Sequence, residues 1–381
     1  MKHRLAAAVV LVAGVLAARA ETVLDLPQMC EPADSSISPA EEKKIGAEIV
    51  AQLYARDYML EDAEISEYVS GLGWKIAAAS ETAPPPLTLF VIRDPRINAF
   101  ALPGGYIGIN AGLITSAQNE SEVAGVLSHE AAHVTQRHIA RSIEGTEVAN
   151  LATWAAVIGA IIAGSADPDV VLAALSAGQA ANYQRQVNFT RSHELEADRI
   201  GIRTLSSAGF DTDAMASFFV RLEQNSRLYG SQVPEFLRTH PVNTTRISEA
   251  RTRAAGFPKR KLAESLDFAM IQARTRVLTS STPSEALEYF SAQLAGGRTA
   301  PANRYGLALA QAQLSDYKRA EMSLAPALAA LPRQVNLLLL SAQIQLGLGR
   351  TETALAQFRT GLKNNPRYAP AILETADALI D

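Results

Sequence analysis

The sequence predicts a mostly helical α+β protein: an N-terminal domain carrying a small β-sheet, followed by an all-α domain of helical repeats. Three observations carry that expectation. Apolar residues recur at helical spacing along much of the chain, β-prone runs are confined to residues 87–110, and a 34-residue period marks the C-terminal third. With 381 residues, 48% hydrophobic and 19% charged, the chain is long enough for two domains and apolar enough to bury a core. The net charge of −4, without a long basic run, argues against the concentrated positive face a nucleic-acid binder needs. The single cysteine, Cys30, excludes an internal disulfide framework and Cys-rich metal modules.

The chain opens with Lys2, His3 and Arg4, an apolar run over 5–18, and Ala18-Arg19-Ala20 before Glu21. A charged start, a short hydrophobic stretch and a small-residue exit predict a secretory signal peptide over 1–20, cleaved after Ala20. A membrane span needs about 20 apolar residues, more than this run supplies. The destination expected from such a leader is an exported compartment, the periplasm in a bacterium.

Beyond the leader, Ser38-Pro39-Ala40-Glu41 reads as a helix start, with Ile45, Ile49, Leu53 and Tyr54 following at helical spacing. A second helix is predicted over 64–79, ended by Pro84-Pro85-Pro86. A strand follows over 87–92, and 98–110 reads as a hairpin turning on Gly104-Gly105. Residues 120–143 carry one amphipathic helix pattern. The 17-residue run 148–164 is largely apolar and falls just short of a spanning helix; a buried core helix, a lid or surface segment, and a membrane contact all fit it, the membrane least well. Another helix is predicted over 189–207, stopped by Gly209. In the last third Ala286, Ala320 and Ala354 recur every 34 residues, as do Phe290, Leu324 and Phe358, with Pro332 and Pro366 at a shared offset. The period and its small, large and Pro positions resemble the tetratricopeptide repeat (TPR), with Gln311 and Gln345 where an aromatic is usual.

His129-Glu130-Ala131-Ala132-His133 lies inside the 120–143 helix. Positions four apart return to within roughly 40° of each other on a helix, so both imidazoles leave one face and can share a metal. Glu130 stands beside them, where a carboxylate can take a proton from water. A catalytic zinc needs a third protein ligand and an open position. Downstream, Glu194 and Asp198 lie one helical turn apart; one can bind metal while the other accepts the free N–H of a ligand histidine. His193 and Glu196 point elsewhere on that helix and read as surface or packing residues. His138, five residues after His133 on the same predicted helix, faces away and reads as structural.

H-E-x-x-H, then E-x-x-A-D, with Asn98-Ala-Phe-Ala-Leu-Pro-Gly-Gly105 before them, resembles the zinc metallopeptidases that include HtpX and the CAAX prenyl proteases. The leader, the repeats and the 239–247 segment Thr-His-Pro-Val-Asn-Thr-Thr-Arg-Ile are similar to the periplasmic, BepA-like branch of that family. The resemblance spans about residues 38–260. It implies a zincin-like metalloprotease domain over 21–262, ahead of TPR-like repeats over 263–381. It also implies one Zn²⁺ held by His129, His133 and Glu194, with Glu130 as general base and Asp198 orienting a ligand. His240 becomes a candidate switch or transition-state stabiliser, and Arg246 a neighbour of the active site. The activity expected is endoproteolysis of unfolded or misassembled exported and outer-membrane proteins, with the repeats docking substrate or assembly machinery. A rival is a latched, largely non-proteolytic chaperone or assembly adaptor. The strand over 106–110 is expected to bind substrate as an added strand.

Overall fold

The computed structural model describes residues 37–143, 191–229, 235–260 and 262–380. The leader, Cys30, the 148–164 run and the first two residues of the 189–207 helix lie outside the described residues. Helix α1 (Pro39–Ala55) starts where its sequence says it should. The Ser38 hydroxyl accepts from the Glu41 N–H, and the Glu41 carboxylate accepts from the Ser38 N–H, a reciprocal cap that satisfies two end groups. Asp62 caps α2 (Ala63–Ala79) through the Ile65 N–H.

Strands β1 (Thr88–Ile92), β2 (Ala99–Leu102) and β3 (Tyr106–Asn110) form one sheet in the order β1-β3-β2. β3 runs parallel to β1 and antiparallel to β2, and the turn into it uses Gly104 and Gly105 at φ 77° and 91°. Both faces are covered. Leu89, Val91, Ile107 and Ile109 pack into the larger core with α2, while Phe90, Ile92, Phe100 and Leu102 pack against Ile45, Ile49 and Leu53 of α1. That alternation is the period-two pattern of a strand. β3 is therefore the central strand, hydrogen-bonded on both sides, and cannot take an added strand; the expectation for 106–110 is corrected. β2 is an edge.

After α3 (Ala111–Ser116) comes α4 (Glu120–Thr135), capped by the Asn119 side chain. The sequence predicts one helix to residue 143, but the chain breaks and resumes as α5 (His138–Ile143). Arg137 sits at φ 50°, the left-handed region that side chains disfavour. Its guanidinium holds the break, donating to Glu42 Oε1 at 2.7 and 2.9 Å and to the Ile37 carbonyl at 2.8 Å.

Helix α6 (Arg191–Ser207) packs along α4 and stops before Gly209 at φ 86°, as expected. Gly201 makes the approach close: a Cβ there would stand 3.1 Å from the His129 backbone. α7 (Asp213–Tyr229), α8 (Glu235–Thr239) and α9 (Thr244–Ala254) close over the same core.

The rest is helical hairpins: α10 (Leu266–Thr279), α11 (Pro283–Ala295), α12 (Pro301–Gln313), α13 (Tyr317–Ala330), α14 (Val335–Gly347), α15 (Thr351–Asn364) and α16 (Ala369–Ile380). Ala286, Ala320 and Ala354 occupy the same place in α11, α13 and α15, each 0% exposed, with Phe290, Leu324 and Phe358 buried one turn on. The small residue admits the neighbouring helix and the large one fills the groove. Gln311 and Gln345 are buried too, and Gln345 donates to Glu321 at 2.8 Å. The array is docked through α10: Phe268 and Ile271 join the first core, and Gln272 donates to the Ile114 and Ala117 carbonyls at the end of α3. No helix among the described residues is long and apolar enough to cross a membrane.

Candidate metal centre

The α4 face that carries His129 and His133 is buried along its length, and the two imidazoles emerge side by side with Nε2 atoms 3.0 Å apart. From α6, Glu194 brings its carboxylate to 3.5 Å of His129 Nε2 and 3.4 Å of His133 Nε2. From the end of α8, His240 brings Nδ1 to 3.0 Å of Glu194 Oε1 and 3.4 Å of His129 Nε2. One donor atom from each of these four buried residues lies within 4.8 Å of every other. Ligand atoms around a tetrahedral ion with bonds of about 2.0–2.1 Å stand roughly 3.3–3.4 Å apart, so the spacing and the imidazole-plus-carboxylate chemistry fit a zinc-sized ion.

Glu130 faces the same point. Both of its carboxylate oxygens are buried with no hydrogen-bond partner among the described residues, and the nearest basic atom, His240 Nε2, is 3.5 Å from Oε1. Buried carboxylate oxygens are rarely left unbonded, and a catalytic role or a bound water or ion is among the reasons when they are.

The remaining ring nitrogens fix orientation. His129 Nδ1 is 3.0 Å from Asp198 Oδ1, so its proton sits there and Nε2 is left as a lone pair toward the centre. Arg246, 1% exposed, grips Asp198 with Nε and Nη2 at 2.7 and 2.8 Å and Glu194 with Nη1 at 2.7 Å. Asn243 caps α9 on the Arg246 N–H, which sets that side chain at the start of the helix. Burial pushes the Asp198 carboxyl up, but the Arg246 charge and its hydrogen bonds outweigh this and hold it below the usual carboxylate range. Burial likewise opposes charge on His129, yet hydrogen bonds to Asp198 and Glu194, with their negative charge, hold it up at about 10, so an ion bound at Nε2 would take the place of a proton there. The pocket is built to surround positive charge.

His129, Glu130, His133, Glu194, Asp198, His240 and Arg246 are thus all brought together. His138 is a correction. The broken helix turns it back so that its Nδ1 lies 2.9 Å from His133 Nδ1, and its Nε2 lies 3.1 Å from Glu196 Oε2. His193 stacks on it with ring centroids 4.4 Å apart, and Arg141 donates to Glu196 at 3.2 Å. Burial pushes His138 down to about 4 against the opposing pull of Glu196, so the ring is neutral at physiological pH. No signal in the local spacing reveals this, because the spacing assumes an unbroken helix.

Comparison with known proteins gives the same reading. Residues 62–254 match the family described as peptidase family M48. The beta-barrel assembly-enhancing protease of Escherichia coli (strain K12) is 34% identical over 356 residues, 92% of this chain and 73% of that protein. A Vibrio cholerae relative is 39% identical over 301 residues, and the chain spans 62% of its length. The mitochondrial metalloendopeptidase OMA1 of Schizosaccharomyces pombe is 32% identical over 180 residues, 47% of this chain and 50% of that protein. The family match covers more than half of the chain and contains each of the residues gathered at the centre, and on that ground the chain belongs to peptidase family M48 and is a metalloendopeptidase.

Proposed function

We propose that this chain is a zinc-dependent endopeptidase of the periplasm that cleaves unfolded or misassembled exported polypeptides, outer-membrane proteins among them. The observation that carries the reading is the unbonded carboxylate of Glu130 beside a four-donor cluster. The likeness to a beta-barrel assembly-enhancing protease supports β-barrel proteins among the substrates, and the predicted leader supports export.

His129 and His133 through Nε2, and Glu194 through its carboxylate, are the proposed holders of the ion. When bound, zinc supplies Lewis acidity that polarises the scissile carbonyl and activates water for attack. Glu130 accepts the proton at a carboxylate oxygen and returns it to the leaving amine. Asp198 keeps the His129 proton on Nδ1, and Arg246 clamps Asp198 and Glu194 in place. Substrate pairs as an extended strand along the β2 edge, Ala99–Leu102. A small cleft runs from Ala101 and Leu102 past Gly104 to His133 on that side of the site. Recognition through backbone hydrogen bonds selects for an unfolded segment rather than a sequence. The repeats, proposed as a docking domain over 263–381, present the substrate or a partner of the assembly machinery.

His240 fills the fourth donor place. A catalytic zinc keeps that place open, so His240 is taken as a latch that must leave before substrate binds. The latch favours a second reading, in which the chain acts mainly as a chaperone or adaptor through its repeats. Casein cleavage by native protein, Glu130→Gln and His240→Ala separates the two. Loss of the base is expected to lower cleavage by about 10²–10⁴-fold while zinc stays bound, and His240→Ala to raise it. Equal cleavage by native protein and Glu130→Gln would remove proteolysis from this site.

A further inference from the structure

We infer that His138 is a positioning residue for the metal centre: it accepts the Nδ1–H of His133 and thereby fixes that ligand's tautomer, with Glu196 holding His138 in turn. The inference rests on the reading of His133 as a metal ligand and goes beyond it.

His133 directs Nε2 at His129 Nε2 and Glu194 Oε1, so a ligating His133 must carry its proton on Nδ1. That nitrogen lies 2.9 Å from His138 Nδ1. Two protonated nitrogens cannot share so short a contact, so His138 Nδ1 is the acceptor and its own proton is on Nε2. Glu196 Oε2 stands 3.1 Å from that Nε2 and completes the chain, itself neutralised by Arg141 at 3.2 Å. With His133 ligating through Nε2, every donor in the sequence His133, His138, Glu196 then meets an acceptor.

The two ligand histidines are therefore oriented by different devices. His129 leans directly on a carboxylate, Asp198, whereas His133 leans on a second imidazole that a carboxylate orients. The His138 ring is 0% exposed and stacked on His193 at an interplanar angle of 12°, which removes its rotational freedom. A fixed acceptor of this kind raises the basicity of the ligand nitrogen across the ring, and losing one typically costs about 10–100-fold in metal affinity.

The test is Zn²⁺ affinity of the full chain by chelator competition, with Co²⁺ absorption as a spectroscopic signature of ligand geometry. His138→Leu keeps bulk and removes the acceptor; it is expected to weaken Zn²⁺ binding by about 10–100-fold and to shift the Co²⁺ bands. His138→Asn places an amide oxygen where Nδ1 stands and is expected to recover most of the affinity. Glu196→Ala is the second probe, because that side chain is 31% exposed and its loss leaves the core packed. It is expected to weaken binding by a smaller factor than His138→Leu. Native affinity in a folded His138→Leu, or an Asn variant as weak as the Leu variant, overturns the inference. If His138→Leu does not fold, native affinity and an unshifted Co²⁺ spectrum in Glu196→Ala overturn it. Failure of the native chain to bind Zn²⁺ at all is a different result, and defeats the reading of the centre itself.

Discussion

Arg246 carries a full charge at 1% exposure, which is tolerable only because two carboxylates face it. Burial works against the guanidinium, and Asp198 and Glu194 more than restore its proton affinity. Removing one member of a buried ion pair strands the other, at a cost of about 3–5 kcal/mol. Arg246→Ala is therefore expected to lower the unfolding free energy of the metal-free protein by about that amount, read from urea denaturation. Arg246→Lys restores charge without the planar fork that binds both Asp198 oxygens, and should fall between the two. An unchanged urea midpoint in Arg246→Ala would show that the clamp is not structural. The motif spacing made most of this centre legible: two imidazoles on one helix face, two carboxylates one turn apart on another. His240 and Arg246 entered only through the resemblance, since nothing local marks a histidine before a proline or an arginine in a first turn as facing a site more than a hundred residues upstream.

At the level of elements, the one break inside α4–α5 decides what the sequence could not say. Helical spacing places His138 on the far side from His133, and it would be there if the helix were continuous. Instead Arg137 takes a left-handed conformation anchored to Glu42 and the Ile37 carbonyl, contacts roughly a hundred residues away in sequence. Strand order was hidden for the same reason: the hairpin was legible, but the parallel pairing of β1 that makes β3 central is long-range. The terminal helix α16 gives an element-scale test. It packs back on α2, and burial, reinforced by the negative charge of Glu64, pushes Glu374 up to about 7. A carboxyl raised from 4.5 in the unfolded chain favours docking of α16 most below pH 4.5, and that contribution is lost as pH rises toward 7. Allowing for its partial exposure, the effect is about 1–2 kcal/mol. Amide hydrogen exchange in α16, corrected for intrinsic rates, is expected to accelerate between pH 5 and 8. Glu374→Gln should flatten that dependence; a native profile in the variant would show that Glu374 does not titrate there.

For the whole molecule, the question is what makes a helical array and a sheet-bearing domain behave as one body. Repeat arrays hold together chiefly through nearest neighbours, so their attachment needs its own device. Arg274 on α10 supplies it. It pairs with Asp62 at 2.8 Å and Glu64 at 2.7 Å at the start of α2, and donates to the Tyr305 hydroxyl on α12 at 2.9 Å. Asn336 on α14 donates to Glu64 from the other side. Four helices thus meet on one buried charge cluster, between residues up to 272 apart in sequence, and no periodicity could have announced it. Arg274→Leu leaves Glu64 buried without its cation, and burial alone pushes that carboxyl upward. The expected loss is about 3–5 kcal/mol. Tyr305→Phe removes one hydrogen bond to a charged group and should cost about 1.5–3 kcal/mol. The signature is in cooperativity as well as magnitude: urea unfolding followed by far-UV circular dichroism is expected to show one transition in the native chain and two in Arg274→Leu. The array would then melt apart from the domain that holds the metal centre. A single transition at the native midpoint in that variant would mean that the apolar contacts of Phe268 and Ile271 carry the coupling without help from the cluster.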